Sequence, residues 1–466
     1  MSSDDYKAGN KIAFAIGGGS GDQITYFAFT FLIFTFYYAV VGVDVNLVTL
    51  GFVMWSFWNA INDPLLGLAS DRTKTKWGRR KPWIAVGFIP LSFMMIFLWT
   101  PPVGNMALSF VYFLVMIMVF DTLFTMVSLN ITSLFPEMWL EEKERNSANN
   151  YRSMFTVIGL IVAFIVPTLF ISDLSAATVP AAQVLSEYQF SGAILAIAAA
   201  ICYTITLLWG VRERPEFSSD SQSVPNWGKA FRHTLGNRTF QWYLVSNTCV
   251  WYVFGLIPTI VPLYGQFVLN IGAGETIMLG LLLAAAFISG GIFVNLWKYL
   301  VNRWDDLRKT WMVAMVFWAV TLAVVVFVSD VTVALVVFAI NGIGLAGNLQ
   351  LRDLVIAHII DEDEVQTGVR REGAFFGVNA LIMRLSVVFI FLSIASVFNN
   401  TGWAVFDPLP GAETILGLRL LLGVFPAIAL LMGALGMTRF RLTGEEWRSV
   451  KKQRDEIHKR KISEVA

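Results

Sequence analysis

The sequence predicts an all-α membrane protein with twelve transmembrane helices in two six-helix bundles, and three observations predict it. The chain is 56% hydrophobic and only 14% charged over 466 residues, with a mean hydropathy of +0.63, more apolar matter than a water-soluble core can hide. Apolar runs of roughly 20 residues, long enough to cross a bilayer, recur twelve times. Lys and Arg gather in every second loop between those runs.

Taken in order, the runs lie near 12–38, 46–70, 83–100, 105–137, 153–172, 190–210, 239–267, 275–300, 311–328, 332–357, 373–398 and 413–438. Basic residues fill 71–82 (Arg72, Lys74, Lys76, Arg79, Arg80, Lys81), 139–152, 211–238, 298–309 and 352–371, and the tail after 438. The alternate loops, 39–45, 101–104, 173–189, 268–274, 329–331 and 399–412, carry neither Lys nor Arg. One missed or extra helix would invert every later loop, so the alternation supports the span count. By the positive-inside rule it predicts both termini in the cytoplasm, with the protein in the cell (inner or plasma) membrane. The N-terminal MSSDDYKAGNK is polar, and the run behind it is too long for a removable signal peptide and lacks a small-residue cleavage site.

The polar stretch from Val211 to Arg238, with Pro215, Pro225 and SSDSQS, follows the sixth run. It divides the chain into an N-terminal bundle (1–210), a cytoplasmic linker (211–238), a C-terminal bundle (239–438) and a basic cytoplasmic tail (439–466). The halves resemble one another. SDRTKTKWGRRKPW after the second run has a counterpart in WKYLVNRWDDLRKTW after the eighth. EMWLEEKERNSANNYRSMF after the fourth has one in HIIDEDEVQTGVRREGAFF after the tenth. Six plus six in parallel repeat is the plan of the major facilitator superfamily. The segment Gly67-x-x-x-Asp71-Arg72 followed by Gly78-Arg79-Arg80 looks like that superfamily's signature loop, whose residues brace the inner helix ends as the halves rock.

Charges within the spans are few, and each costs at least about 2.5–3.5 kcal/mol on insertion scales unless paired or hydrated. Away from the span ends they are Asp22, Asp63, Asp121 and Arg384, with Arg419 near the outer end of the twelfth run and Glu275 and Glu413 expected at the outer membrane interface. Three carboxylates against one guanidinium leave two negative charges for a bound Na⁺ or proton to balance. The sequence around Asp63 reads Trp58-Asn59-Ala60-Ile61-Asn62-Asp63-Pro64. Asn59 and Asp63 share a helix face, and Pro64 brings no N–H to the carbonyl of Ala60. One carboxylate with amide and carbonyl oxygens suits a small cation; the competing reading is a polar helix-packing cluster at a proline kink. Asp121, Thr125 and Ser128 form a stripe at i, i+4 and i+7 that either lines a cavity or bonds a neighbouring helix. Trp58 lies beside Asn59, where its ring would stack on a sugar.

Other chemistry is absent. The three histidines, His233, His358 and His458, lie outside the predicted spans, which argues against a histidine proton relay. Cys202 and Cys249 sit in apolar runs as small hydrophobes. No nucleophile–base pair, metal motif or phosphate loop points to an enzyme, and no cofactor or nucleic-acid partner is expected.

Several stretches together resemble the glycoside-pentoside-hexuronide cation symporter family: GGGSGDQ, WNAINDPLLG with SDRTKTKWGRRKPW, LFPEM…EEKERNSANNYR and DEDEVQTGVRREGAFFGVNALIMR. The resemblance implies a cation bound by Asn59, Asn62, Asp63 and Thr125, with any Na⁺ at Asp63. It implies a basic residue near both sites at Arg384 and a sugar-binding arginine at Arg152. It also exposes departures. One of the family's helix-2 carboxylates is Asn59 here, and its two galactoside-holding aspartates fall on Gln23 and Ser128.

The expected function is therefore symport of a small sugar or glycoside coupled to Na⁺ or H⁺, by a monomer in the lipid bilayer. The substrate would contact Asp22, Gln23, Trp58, Asp121, Ser128, Arg152 and Arg384. Asp71, Arg72, Gly78, Arg79 and Arg80 would gate the conformational change. Two alternatives stay open: a symporter of lysophospholipid-type amphipaths, and a non-transporting receptor or scaffold with the same fold.

Overall fold

The structure is a computed structural model that describes residues 8–139, 141–213, 233–368 and 371–465. Pro215, Pro225 and the SSDSQS stretch of the linker lie outside the described residues. Among the described residues the regular structure is helical, apart from one isolated antiparallel bridge between Thr75 and Gly78.

We number the helices α1 (Asn10–Val40), α2 (Val45–Arg72), α3 (Lys81–Phe97), α4 (Met106–Met138), α5 (Glu142–Phe170), α6 (Ala181–Gly210), α7 (Arg238–Phe267), α8 (Ile277–Trp304), α9 (Leu307–Phe327), α10 (Val331–Thr367), α11 (Glu372–Asn400), α12 (Ala412–Met437) and α13 (Gly444–Val465). Ten of them are long and apolar enough to cross a membrane, which makes this an integral membrane protein. The other two of the first twelve fall short for visible reasons. Polar Asn59, Asn62, Asp63, Asp71 and Arg72 break the apolar character of α2, and α3 has only 17 residues.

Two helices outrun their apolar stretches. α5 begins at Glu142, eleven residues before the predicted 153, and α10 runs on to Thr367 where the apolar run ends at 357. Intrahelical hydrogen bonds continue through polar sequence wherever nothing breaks them, and α10 stops only at Gly368, whose φ of +76° is a left-handed cap. Side-chain caps mark other starts: Asp44 on Asn46 N (2.7 Å), Asn105 on Leu108 N (3.1 Å), Asp306 on Lys309 N (2.9 Å) and Asp330 on Val333 N (2.9 Å).

By contacts the chain sorts into two units. The first comprises residues 1–224 with 258–284 and 391–418; the second comprises 225–257, 285–390 and 419–466. In the first unit α1 is wound through two π-helical turns, Ile16–Gly21 and Phe36–Val40. Such turns concentrate at functional sites. The IGGGSG turn lets neighbours come in close: a Cβ on Gly19 would lie 2.9 Å from the Arg152 carbonyl oxygen, and one on Gly159 only 2.7 Å from Ser20 Cα.

At the Lys/Arg-free end of the first unit, α7, α8, α11 and α12 contribute their near ends to the packing. Val45 N donates to Ala404 O (2.9 Å), and the amides of Asn46 and Asn399 donate to one another (3.0 and 2.7 Å). Thr276 Oγ1 donates to the Thr168 and Ile171 carbonyls (2.9 and 2.7 Å), and Tyr38 OH to the Trp403 carbonyl. Asp173 there accepts from Ser175 N, Thr178 N, Thr178 Oγ1 and Gln266 Nε2 at 2.8–3.0 Å and from Ser175 Oγ at 3.3 Å. Burial pushes the Asp173 carboxyl up, but these donors together outweigh it and hold the group below its ordinary value.

In the second unit α9 packs against α10 and α12, with Gly344 so close to Trp318 that a Cβ would lie 2.5 Å from the tryptophan's own Cβ. Arg419 donates to the Val326 and Val328 carbonyls (2.6 and 2.8 Å) at the end of α9, which gives that span charge a hydrogen-bonded seat. α13 lies along the extension of α10 through Arg454–Asp361 (2.8 Å) and the stack of Trp447 on His358 (3.5 Å between centroids).

Candidate cation and substrate site

Helices α2 and α4 meet through their polar stripes. On α2, Asn59 and Asp63 follow one another at one turn; on α4, Asp121 and Thr125 do the same. The two pairs cross-bond. Thr125 Oγ1 donates to Asp63 Oδ1 (2.8 Å), Asn59 Nδ2 donates to Asp121 Oδ1, and Asn62 Nδ2 donates to Asp121 Oδ2 (3.3 Å). Asn59, Asn62, Asp121 and Thr125 are buried and Asp63 is half-buried. The side-chain oxygen of Asn59 is fully buried and has no hydrogen-bond partner. The structure thus joins Asn59, Asn62, Asp63 and Thr125 in one cluster and adds Asp121, which the sequence analysis grouped with the substrate residues.

A second cluster sits where α1 leaves its first π turn. Asp22 is buried, and its carboxylate accepts from Ser128 Oγ (2.7 Å) and from Tyr203 OH (2.9 Å), with Thr25 Oγ1 3.2 Å from the same phenol. Ser128 lies two turns along α4 from Asp121, so one stripe serves both carboxylates. Arg152 is close by: its Nε donates to the Gly18 carbonyl (3.0 Å), and its guanidinium lies 5.8 Å from the Phe135 ring centre. Gln23 is half-buried beside Gly159.

Trp58 and the residues of the loop after α2 stand apart from these clusters. Trp58 is 40% exposed and donates its indole N–H to Thr122 Oγ1 (3.1 Å). Arg384 is half-buried in the second unit, at the break between the Glu372–Met383 and Leu385–Asn400 segments of α11. At the basic end of the first unit, Arg80 pairs with Asp71 (3.0 Å) and Glu137 (3.1 Å), and Arg79 with Glu137 (2.7 Å); Arg72 is exposed. Glu213 accepts the backbone N–H groups of Arg79, Arg80 and Lys81 (2.8, 2.8 and 2.6 Å), capping α3 with a carboxylate where the helix dipole favours one. Gly78 has a φ of +102°, and a Cβ there would strike the Glu213 carboxylate, so both backbone and space require glycine.

Sequence reasoning missed Tyr203, Glu137 and Glu213. Glu137 stood in the LFPEM stretch and Tyr203 one turn before the polar Thr206. Glu213 carried no local signal, because its partners are over 130 residues away. Among the described residues no three His, Cys, Asp or Glu side chains converge as a metal site, so the α2–α4 cluster offers carboxylate, amide and hydroxyl oxygens.

The comparisons with known proteins agree with this architecture. The family profile described as MFS/sugar transport protein matches residues 14–444. An uncharacterized symporter of Synechocystis sp. is 32% identical over 170 residues, 35% of this chain and 31% of that protein, so the match spans about a third of that relative. The sodium-dependent lysophosphatidylcholine symporter 1 of Gallus gallus is 23% identical over 477 residues, 95% of this chain and 88% of that protein. The crystal structure of the nucleoside transporter NupG superposes with a TM-score of 0.67 at 12% identity, over 93% of this chain and all of that one, a likeness of fold alone. With ten helices long and apolar enough to span a membrane, a braced loop after α2 and a family profile that spans nearly the whole chain, the protein belongs to the MFS/sugar transport protein family.

Proposed function

We propose that the protein is a cation-coupled symporter of a small sugar or glycoside, working by alternating access. Its twelve helices would form two six-helix bundles, 1–210 and 239–438, joined by a cytoplasmic linker (211–238) and followed by a cytoplasmic tail (439–466). Both termini would lie in the cytoplasm, with the protein in the cell (inner or plasma) membrane. The observation that carries this reading is the buried oxygen cluster between α2 and α4, where Thr125 bonds Asp63 and two amides bond Asp121. A cation at Asp63, Asn59, Asn62 and Thr125 neutralises charge that otherwise resists enclosure, and substrate bound beside it near Asp22, Gln23, Ser128 and Arg152 completes the state able to cross. The braces Asp71–Arg80 and Arg79–Glu137 are the contacts that such a change would make and break.

The test is uptake of labelled glycosides into proteoliposomes driven by an imposed Na⁺ or pH gradient. Asp63→Asn is expected to abolish gradient-driven uptake; uptake that survives it sinks the assignment. A lysophospholipid reading is favoured by the 95% of the chain that aligns with the Gallus gallus symporter. A thermal-shift panel of glycosides, pentosides and lysolipids, with and without Na⁺ and at two pH values, separates the two: a lysolipid-only response selects the lipid, and a sugar-only response the glycoside. Silence across the panel together with no solute flux would leave the receptor or scaffold reading.

A further inference from the structure

We propose that Asp121 is the second carboxylate of the cation site and that the side-chain oxygen of Asn59 is a ligand as well, so that the site takes a dehydrated alkali cation of the Na⁺ class. This rests on the symporter reading and deepens it by naming the ion, adding Asp121 to its ligands and assigning the Asn59 oxygen as the ligating atom.

The argument starts from the donor and acceptor ledger. Asn59 is 3% exposed, and its Nδ2 donates to Asp121 Oδ1 while its Oδ1 is buried with no donor. Buried polar atoms are nearly always paired, and an orphan acceptor beside a carboxylate is where a positive ligand belongs. The two oxygens of Asp121 accept from different amides, Asn59 on Oδ1 and Asn62 on Oδ2. Each oxygen keeps lone-pair capacity beyond the one amide it accepts, so Asp121 can hold both amides and still present oxygen to a cation.

Thr125 Oγ1 spends its proton on Asp63 and keeps lone pairs, so it too presents oxygen to a ligand. Asp63, Asp121, Asn59 and Thr125 then supply four hard oxygen donors from two adjacent helices, the donor type that hard cations choose. Two carboxylates draw a cation more strongly than one, and a bound Na⁺ removes part of the charge that resists enclosure.

The test uses the purified full-length protein in detergent, with thermal unfolding followed against NaCl and against choline chloride at fixed pH, and with a pH series lacking Na⁺. The wild type is expected to rise with Na⁺ and not with choline. Asp121→Asn and Asn59→Ala are each expected to weaken the Na⁺ response about tenfold or more. The exchange Asn59→Asp with Asp121→Asn, which swaps the two hydrogen-bonded partners and keeps the charge, is expected to restore most of it.

If Asp63→Asn loses the response while Asp121→Asn and Asn59→Ala keep the wild-type midpoint, the inference fails and the cation site at Asp63 stands. Asp63→Asn keeping it as well overturns the symporter reading too. A wild type that answers pH and ignores Na⁺ overturns the ion assignment. Should Asp121→Asn not fold, Asp121→Glu decides: it keeps the charge and moves the oxygens, so an unchanged Na⁺ midpoint overturns the inference.

Discussion

Asp22 and Asp121 are both buried carboxylates that share the polar stripe of α4, yet their surroundings differ in kind. Asp22 accepts from two hydroxyls, Ser128 and Tyr203, and Tyr203 is itself tied to Thr25. A hydroxyl can turn and accept as readily as it donates, so this cluster satisfies itself with or without a ligand. Asp121 accepts from two amides, which cannot exchange roles without flipping, and one of those amides leaves its oxygen orphaned. A closed network stiffens a helix junction, and an open one waits for something to complete it. The comparison teaches that burial of a charge does not by itself mark a cation site; the unfilled valence beside it does.

The largest effect is expected where that contrast is broken outright. Asp22→Asn replaces an acceptor of two hydroxyl protons with a group that brings two donors of its own, and loss of hydrogen bonds to a charged group costs roughly 1.5–3 kcal/mol apiece. The detergent-purified variant should therefore unfold several degrees lower whether or not Na⁺ is present. Asp63→Asn should show the opposite pattern, with melting in Na⁺-free buffer close to wild type and the Na⁺-induced rise gone. If the two variants lose stability and ion response alike, the distinction between the clusters fails.

Thr125→Val sharpens the same comparison at lower amplitude. The side chain keeps its shape and loses the hydroxyl that bonds Asp63. We expect Na⁺ affinity to fall by about tenfold, with stability changed by roughly 1 kcal/mol, read as a shifted midpoint in the Na⁺ titration. An unchanged midpoint would remove Thr125 from the ligand set.

Much of this arrangement was legible in the sequence, and the rest has a physical reason for being hidden. The i, i+4 period put Asn59 with Asp63 and Asp121 with Thr125, because helical spacing is local and readable. Which carboxylate answers which helix was not readable. Asp121 and Ser128 lie about 10 Å apart along the axis of α4, so a single stripe reaches two clusters, and only the packing of α4 against α2 and α1 decides how it is shared. Trp58 illustrates this: adjacency to Asn59 suggested the polar cluster, but one residue is a 100° turn of the helix, and its indole went to Thr122 instead. The span count came from apolar runs, with loop charge in support, whereas the polar turns that lengthen α5 and α10 are invisible to a search for apolar runs. Tyr203 and Glu213 are long-range partners, and nothing local announces them.

A third carboxylate, outside the membrane-spanning helices, calibrates the comparison with the smallest expected effect. Asp173 accepts five hydrogen bonds from Ser175, Thr178 and Gln266, so its network is closed more completely than that of Asp22. Burial raises its carboxyl and the donors lower it further, leaving it below the ordinary aspartate value of 3.8. A depressed folded value means that the ionised group adds stability in full above the ordinary value, and that this contribution is lost as pH falls through the lower folded one. Asp173→Asn should then melt below wild type by a constant margin from pH 7 down to about pH 4, worth on the order of 1 kcal/mol, and the margin should close only in stronger acid. The margin should not respond to Na⁺ at any pH, because every acceptor position on Asp173 is already filled by the protein. A margin that widens with Na⁺ would mean that a closed network can also bind an ion, and the orphan oxygen of Asn59 would lose its value as the mark of a site.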